Sequence, residues 1–191
     1  MQKNLTSSEL QTIYNTKFFE VKASATKKIE RLLAEVRDEI KRTIKKEKII
    51  FPKEIDVENG KIFRGENYIG LPYLVLDYPK HFSKESVLAF RTMFWWGNFF
   101  SCTLHVSPVP KTANYKNLTG KKIHICVNDN PWQYHYKKDN YVLIDTLSEQ
   151  KFKSILKKNN FMKLSRKIPL KDHKKINSFA RESFDILYKS L

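Results

Sequence analysis

Residues 67–108, NYIGLPYLVLDYPKHFSKESVLAFRTMFWWGNFFSCTLHVSP, decide the fold and hold two of the three tryptophans. Within this stretch, Gly97-Asn98 separates two aromatic runs that are rich in residues favouring β-strands. A two-residue loop with glycine first is typical of a type II′ turn, whose twist matches that of paired strands. The sequence therefore predicts a β-hairpin at the centre of the chain.

The predicted hairpin has two different faces. A two-residue loop pairs Trp96 with Phe99 and, at the far end, Phe90 with His105. Successive side chains of a strand point to opposite faces, so this register assigns every residue to one of them. The face that we assign to the core is apolar apart from Arg91, and it comprises Met93, Trp95, Phe100, Cys102, Leu104 and Val106. The second face comprises Phe90, Thr92, Phe94, Trp96, Phe99, Ser101, Thr103 and His105.

This second face mixes aromatic rings with hydroxyl groups and an imidazole, which is a composition typical of a partly open ligand pocket. Its aromatic rings are also of the kind that stack on bases or sugars. The alternative is that the rings fill the core against the first helix, which is the more frequent use of such runs.

Length and composition predict one globular domain. A chain of 191 residues with 41% hydrophobic and 13% aromatic residues is long and apolar enough to bury a core. The first ten residues, MQKNLTSSEL, lack an apolar signal region, and no later stretch approaches the length of a membrane span. We therefore expect a cytoplasmic protein that does not enter a membrane. Two cysteines, Cys102 and Cys126, predict no disulfide framework.

The net charge of +16 indicates an anionic partner, which is either nucleic acid or a phosphorylated or carboxylated small molecule. Only seven of the 36 basic residues are arginine, the side chain that nucleic-acid readers use most, so we favour the small molecule. For the total charge, we favour a compositional bias towards lysine over a functional cause. Such a bias does not explain the clustering, because residues 151–175 hold ten basic residues and a single acid, Asp172.

The chain begins with a helical segment at about residues 6–46. Thr6 and Glu9 have the spacing of a capping box, and Asn15-Thr16 predicts a break. Apolar residues then recur at steps of three and four as far as Ile44, which predicts a long amphipathic helix. Such a stripe packs on a sheet of the same chain or pairs two copies of the chain.

Several strands flank the hairpin. Asn59-Gly60 predicts a turn between strands at residues 54–57 and 61–64, and Pro79 predicts the end of a strand at residues 73–78. Residues 132–137 alternate as a strand does, whereas residues 107–122 are predicted to form a long loop, either a lid or a surface insertion.

For the C-terminal part, residues 145–191, we predict a helix, a strand and a second helix, with Asp145 and Asp172 as the helix caps. Short turns connect the strands at about residues 53–144, which favours antiparallel pairing. The expected architecture of residues 1–191 is thus a single α+β domain. It contains a largely antiparallel sheet of about six to eight strands, packed by a long N-terminal helix and C-terminal helices.

No motif of a named chemistry occurs in the sequence. His105, His124, His135 and the two cysteines lack the paired spacing of a zinc site, and the five glycines form no phosphate-binding loop. We therefore expect neither a metal nor a cofactor. The C-terminal lysine cluster straddles the predicted start of the last helix, where backbone N–H groups favour anions. This cluster comprises Lys171, His173, Lys174 and Lys175.

These observations support three hypotheses about function. The leading one is a module that binds an anionic ligand with the C-terminal lysine cluster, bordered by the second face of the hairpin. The first alternative is an enzyme with a small substrate and a pocket around His105 and Arg91, which requires a deep cavity containing His105. The second alternative is a structural subunit that oligomerises through its first helix. The sequence leaves open whether the protein is an enzyme.

Overall fold

Helices occupy the two ends of the chain, as the sequence predicts. The computed structural model describes residues 4–191. Its helices are α1 (Ser7–Tyr14), α2 (Thr16–Lys46), α3 (Glu149–Asn159) and α4 (Ile176–Tyr188). Thr6 and Glu9 form the predicted capping box of α1, and the Asn15 side chain caps α2 by accepting a hydrogen bond from the Phe18 N–H. The predicted break between the first two helices is therefore confirmed.

Seven antiparallel strands form one sheet, in the order β1-β2-β3-β4-β7-β5-β6. The strands are β1 (Lys61–Tyr68), β2 (Leu71–Phe82), β3 (Val87–Trp95), β4 (Phe99–Ser107), β5 (His124–Cys126), β6 (Tyr141–Leu143) and β7 (Met162–Pro169). Strand β7 lies between β4 and β5, so the C-terminal part of the chain completes the sheet. The predicted fold class, α+β with an antiparallel sheet, is confirmed.

The helices cover one face of the sheet, which we call the helix face. Helix α2 buries Leu33, Val36 and Ile40 completely, since these positions form one stripe along the helix. They belong to one buried cluster with strand residues that include Leu74, Leu76, Phe90, Phe100 and Leu104. The apolar stripe of α2 thus packs on its own sheet from Leu33 onwards. None of the helices in residues 4–191 is both long and apolar enough to cross a membrane.

The opposite face of the sheet is partly covered by residues 127–140, which we call the strap. Tyr134 of the strap packs with Val75, Met93 and Trp95 of the sheet. The strand predicted at residues 132–137 is wrong, because the strap is irregular. Some of its backbone N–H groups donate hydrogen bonds to Asn side chains and not to a neighbouring strand. One example is the 2.9 Å hydrogen bond from the Trp132 N–H to the Asn130 side chain. We call this side of the sheet the strap face.

The register of the central hairpin differs from the prediction by one residue. Its loop has three residues, 96–98, and Gly97 adopts a φ of 69°, so that Trp95 pairs with Phe99. A shift of one residue moves a whole strand to the other face relative to its partner. Phe90, Thr92 and Phe94 therefore point to the helix face. The strap face of the hairpin comprises Arg91, Met93, Trp95, Phe99, Ser101, Thr103 and His105.

Two predictions around β2 are also wrong. No hairpin forms at Asn59-Gly60, because β1 pairs with β2 and residue Asp56 makes only an isolated bridge to Lys80. Pro79 does not end β2, which continues to Phe82. Pro79 is tolerated there because it falls at a register shift between Asp77 and Lys80, where the ladder is interrupted.

Two of the predicted helix caps are corrected in the same way. Asp145 lies in a short 3₁₀ helix and accepts a hydrogen bond from the Gly120 N–H, while Ser148 caps α3. Asp172 lies inside a second 3₁₀ helix, Leu170–Lys175, which precedes α4. The loop predicted at residues 107–122 begins after Ser107, the last residue of β4, and contains one 3₁₀ turn, Tyr115–Asn117.

Candidate functional site

An open cleft of about 530 Å³ lies on the strap face, where the strap leaves β1, β2 and β3 uncovered. We call it the Arg91 cleft. Its lining comprises Glu54, Asp56, Lys61, Phe63, Asp77, Lys80, His81, Phe82, Arg91 and Trp132. A smaller cavity of about 180 Å³ is also lined by Arg91 and Phe63 and extends below Tyr134. The register of the strands places Lys61, Asp77 and Arg91 side by side, because the odd-numbered residues of β1, β2 and β3 share one face there.

A charged pair forms the floor of the Arg91 cleft. The Arg91 guanidinium donates to both carboxylate oxygens of Asp77, from Nε at 2.6 Å and from Nη2 at 2.8 Å. Its Nη1 donates to the Tyr134 hydroxyl at 2.6 Å. Burial disfavours the charged guanidinium, but the hydrogen bond to Asp77 and the charge interactions with Tyr134 and Asp77 together raise the pKa of Arg91 overall. Burial raises the pKa of Tyr134 to about 12, so its hydroxyl keeps its proton.

Three aromatic side chains, Phe63, Phe82 and Trp132, line the cleft, and Tyr134 lines the smaller cavity beside it. The Arg91 guanidinium lies 5.5 Å from the centroid of the Phe63 ring and 4.8 Å from that of Tyr134, within the range of cation–π contacts. On the far side, the Phe82 and Trp132 rings lie 6.1 Å apart and are 43% and 49% exposed. The two rings therefore offer apolar surface at this edge of the cleft.

Charged side chains of both signs line the rim. The Lys80 ammonium pairs with Asp56 at 3.0 Å. Burial alone raises the pKa of Asp56, but the Asn59 N–H and Lys80 hydrogen bonds lower it overall. In the described part of the chain, no carboxylate lies within 4.0 Å of the Lys61 ammonium. The cleft is thus lined by three acids and by three lysine or arginine side chains, so their formal charges cancel.

A buried lysine anchors the strap beside the cleft. Lys163 of β7 is fully buried, and its ammonium donates to the backbone carbonyls of Pro131, at 2.6 Å, and Gln133. It also lies 3.9 Å from the centroid of the Tyr134 ring. Burial lowers the pKa of Lys163 to about 7. Because its partners are two carbonyls of the strap, Lys163 fixes the position of Tyr134 and hence of Arg91.

His105 does not line the Arg91 cleft or the smaller cavity below it. Its ring is packed between Trp132, at 5.6 Å, and Phe161, at 5.5 Å. Burial, together with the nearby charges of Lys163 and Arg91, lowers the pKa of His105 to about 3. A histidine in this state is neutral near pH 7, and its buried ring lies apart from the Arg91 cleft, so the enzyme hypothesis stays a prediction.

The remaining hairpin residues of the predicted site are closed off as well. Thr103 and Ser101 are buried, and the Thr103 hydroxyl lies 2.7 Å from that of Ser165. Phe90, Thr92 and Phe94 are buried on the helix face and cannot reach a ligand. Trp96 is partly buried in the turn and contacts Phe94 ring to ring at 5.4 Å.

The C-terminal lysine cluster is exposed but separate from the cleft. Lys171, His173, Lys174 and Lys175 lie in or next to the 3₁₀ helix after β7, and none of them lines the Arg91 cleft. Lys175 pairs with Asp172 at 3.3 Å. The leading hypothesis placed the lysine cluster and His105 in one site, and the structure does not bring them together.

Sequence reasoning missed Asp77, Lys61 and Phe63 as members of a site. One signal was available, because Asp77 interrupts an apolar strand and Arg91 interrupts the face assigned to the core. Two charged exceptions on neighbouring strands are most simply satisfied by each other, since a lone buried charge is costly. Pairing them also requires the hairpin register that the structure shows.

Residues 4–191 contain no group of three or more His, Cys, Asp or Glu side chains placed to hold a metal ion. Comparisons with protein-family models, with curated proteins and with solved structures give no match to this chain. The fold and the Arg91 cleft are therefore the basis for a functional proposal.

Proposed function

We propose that the protein binds a small molecule in the Arg91 cleft, through a carboxylate or phosphate group carried on a flat apolar body. The observation that supports this most is the Arg91 guanidinium, held rigidly by Asp77 and Tyr134 at the floor of an aromatic-walled cleft. Ligand sites typically combine apolar walls with a few fixed polar groups in this way.

Donors for an anionic group remain free at the floor and wall of the cleft. A guanidinium has five N–H donors, and the side-chain hydrogen bonds of Arg91 within residues 4–191 use three of them. Carboxylates and phosphates match the planar fork of arginine well. Lys61 adds a second positive group to the same cleft. Phe63, Phe82 and Trp132 supply flat surfaces for the apolar body of the ligand.

Charge balance in the cleft favours a small anion over nucleic acid. Three acids line the cleft beside the three bases, so it offers directed hydrogen bonds without a strong positive field. A polyanion would be repelled by Asp56 and Glu54, whereas one carboxylate or phosphate needs only the local donors. The volume of about 530 Å³ lies within the usual range of sites for small organic ligands.

Calorimetric titration with four small probes tests the proposal. Phenyl phosphate and benzoate carry an anionic group on a ring, while phenol and benzamide offer the same ring without the charge. We expect measurable binding of the two anions and at least tenfold weaker binding of the two neutral compounds. Charge-assisted hydrogen bonds to the anionic group should contribute at least about 1.4 kcal/mol, which corresponds to a factor of ten in Kd. Equal binding of charged and neutral probes would contradict the proposal.

Two lysine variants locate the site of binding. Lys61→Gln removes the unpaired cation of the cleft and is expected to weaken phenyl phosphate binding several-fold. The matched control is Lys174→Gln, which removes an exposed cation of the C-terminal lysine cluster and is expected to leave binding unchanged. If Lys174→Gln weakens binding and Lys61→Gln does not, the lysine cluster is the site and the cleft is not.

A further inference from the structure

Residues 4–21, which we call the arm, project from the body of the protein. The arm contains all of α1 and the start of α2, and every one of its residues is exposed. Its two helical parts nevertheless present large apolar side chains, each at least 38% exposed. These side chains are Leu10, Ile13, Tyr14, Phe18, Phe19 and Val21.

The exposed side chains continue a stripe that is buried further along the same helix. Phe18 and Val21 lie on the helical repeat that leads, through Ile29, to the fully buried Leu33 and Val36. The stripe is buried only from Leu33 onwards, whereas its residues in the arm are exposed. One ion pair, between Lys22 and Glu66 of β1 at 2.7 Å, marks the point where α2 leaves the sheet.

Charge distinguishes the arm from the rest of the chain. The arm carries Glu9 and Glu20 against Lys17, a net charge of −1, in a protein whose net charge is +16. Two copies of such a basic protein repel each other almost everywhere, and least where their arms meet. A helix that binds an anionic membrane or nucleic acid instead presents a cationic face, which the arm lacks.

The area of the patch also suits a second copy of the chain. Six large side chains that are about half exposed offer on the order of 600 Å² of largely apolar surface, close to the ~800 Å² that each partner buries in a standard interface. Within the arm the Phe18 and Phe19 rings contact each other at 5.3 Å, and large exposed apolar patches usually mark an interaction site.

We propose that two copies of this protein pair through their arms around a twofold axis. In such an isologous contact each arm covers the uncovered stripe of the other, and an antiparallel arrangement brings Lys17 of one copy towards the glutamates of its partner. The inference is independent of the ligand proposed for the Arg91 cleft, because the arm and the cleft share no residue.

Sedimentation equilibrium tests this pairing. The chain has a mass of 22.7 kDa, and we expect twice that mass at protein concentrations of roughly 10–100 µM, which suit an interface of standard size. The variant Phe18→Glu/Val21→Glu places two acids in the interface and is expected to sediment as a monomer. Its far-ultraviolet circular dichroism should match the wild type, since both side chains are exposed.

The matched control is Ile50→Glu, which changes an apolar residue that is 89% exposed but lies outside the arm. This variant is expected to remain a dimer. A wild-type chain that is monomeric throughout the concentration range overturns the proposal, and so does a dimer that survives Phe18→Glu/Val21→Glu. A wild-type monomer that binds vesicles of phosphatidylglycerol and phosphatidylcholine would instead assign the arm to a membrane surface.

Discussion

Arg91 and Asp77 face each other across β3 and β2, and two hydrogen bonds of 2.6 and 2.8 Å join the guanidinium to the carboxylate. The side chains are only 13% and 4% exposed, so each charge depends on the other for compensation. The pair also ties the hairpin to the strap, because Arg91 donates in addition to the Tyr134 hydroxyl.

Breaking this pair should be costly. Asp77→Leu leaves the guanidinium of Arg91 buried without its counter-ion, and we expect the free energy of unfolding to fall by about 3–5 kcal/mol. The double variant Asp77→Leu/Arg91→Met removes both charges and should regain most of that loss. Urea unfolding of the wild type and the two variants measures both effects. A loss below about 1 kcal/mol for Asp77→Leu would show that the pair is not buried in solution.

Lys163 should make stability depend on pH. Burial lowers its pKa to about 7 in the folded protein, whereas an unfolded lysine titrates near 10.5. Between these values the unfolded state binds the extra proton, so the free energy of unfolding rises with pH, by at most about 1.4 kcal/mol per pH unit. The carbonyls of Pro131 and Gln133 stabilise the charged form and make the slope smaller than this limit.

The measurement is a series of urea unfolding curves from pH 7 to pH 10 on the wild type and Lys163→Met. The wild-type curve should rise more steeply than that of the variant, because methionine does not titrate. Identical slopes would mean that Lys163 has an ordinary pKa and is reached by solvent in the folded protein.

His105 should remain neutral throughout the physiological range. Its pKa is lowered to about 3, first by burial and then by Lys163 and Arg91. We expect the carbon-bound ring protons of His105 to show no titration between pH 5 and pH 8 in nuclear magnetic resonance spectra, assigned with His105→Gln. In the folded state, protonation is expected only well below pH 5, so unfolding takes up a proton and stability falls between pH 6.5 and pH 3. A titration midpoint near 6.5 would contradict the burial of this ring.

The fold class could be predicted because its determinants are local. The capping box at Thr6, the apolar stripe of α2 and the strand-forming runs around Gly97 all report on their own elements. The hairpin register could not be fixed in this way, because loops of two and three residues are both compatible with a Gly-Asn turn. The choice depends on long-range contacts, such as the hydrogen bond from the Trp96 N–H to the Pro72 carbonyl.

The candidate site was harder to predict because its residues come together only in the sheet. Arg91 was named from the sequence, but its pairing with Asp77 could not be predicted because no local pattern links the two. The strap was mispredicted for a similar reason. The alternation from Trp132 to Tyr136 is typical of a strand, yet Asn side chains make hydrogen bonds to several backbone N–H and C=O groups of the strap.

The most direct test of the proposed function is a titration of the ¹⁵N-labelled protein with phenyl phosphate, followed by nuclear magnetic resonance. The Arg91 cleft predicts that the largest shift changes fall on the Arg91 Nε–H, the Trp132 indole N–H and the backbone of β1 around Lys61. Shift changes confined to residues 171–175, or none at millimolar phenyl phosphate, would contradict the assignment of ligand binding to this cleft.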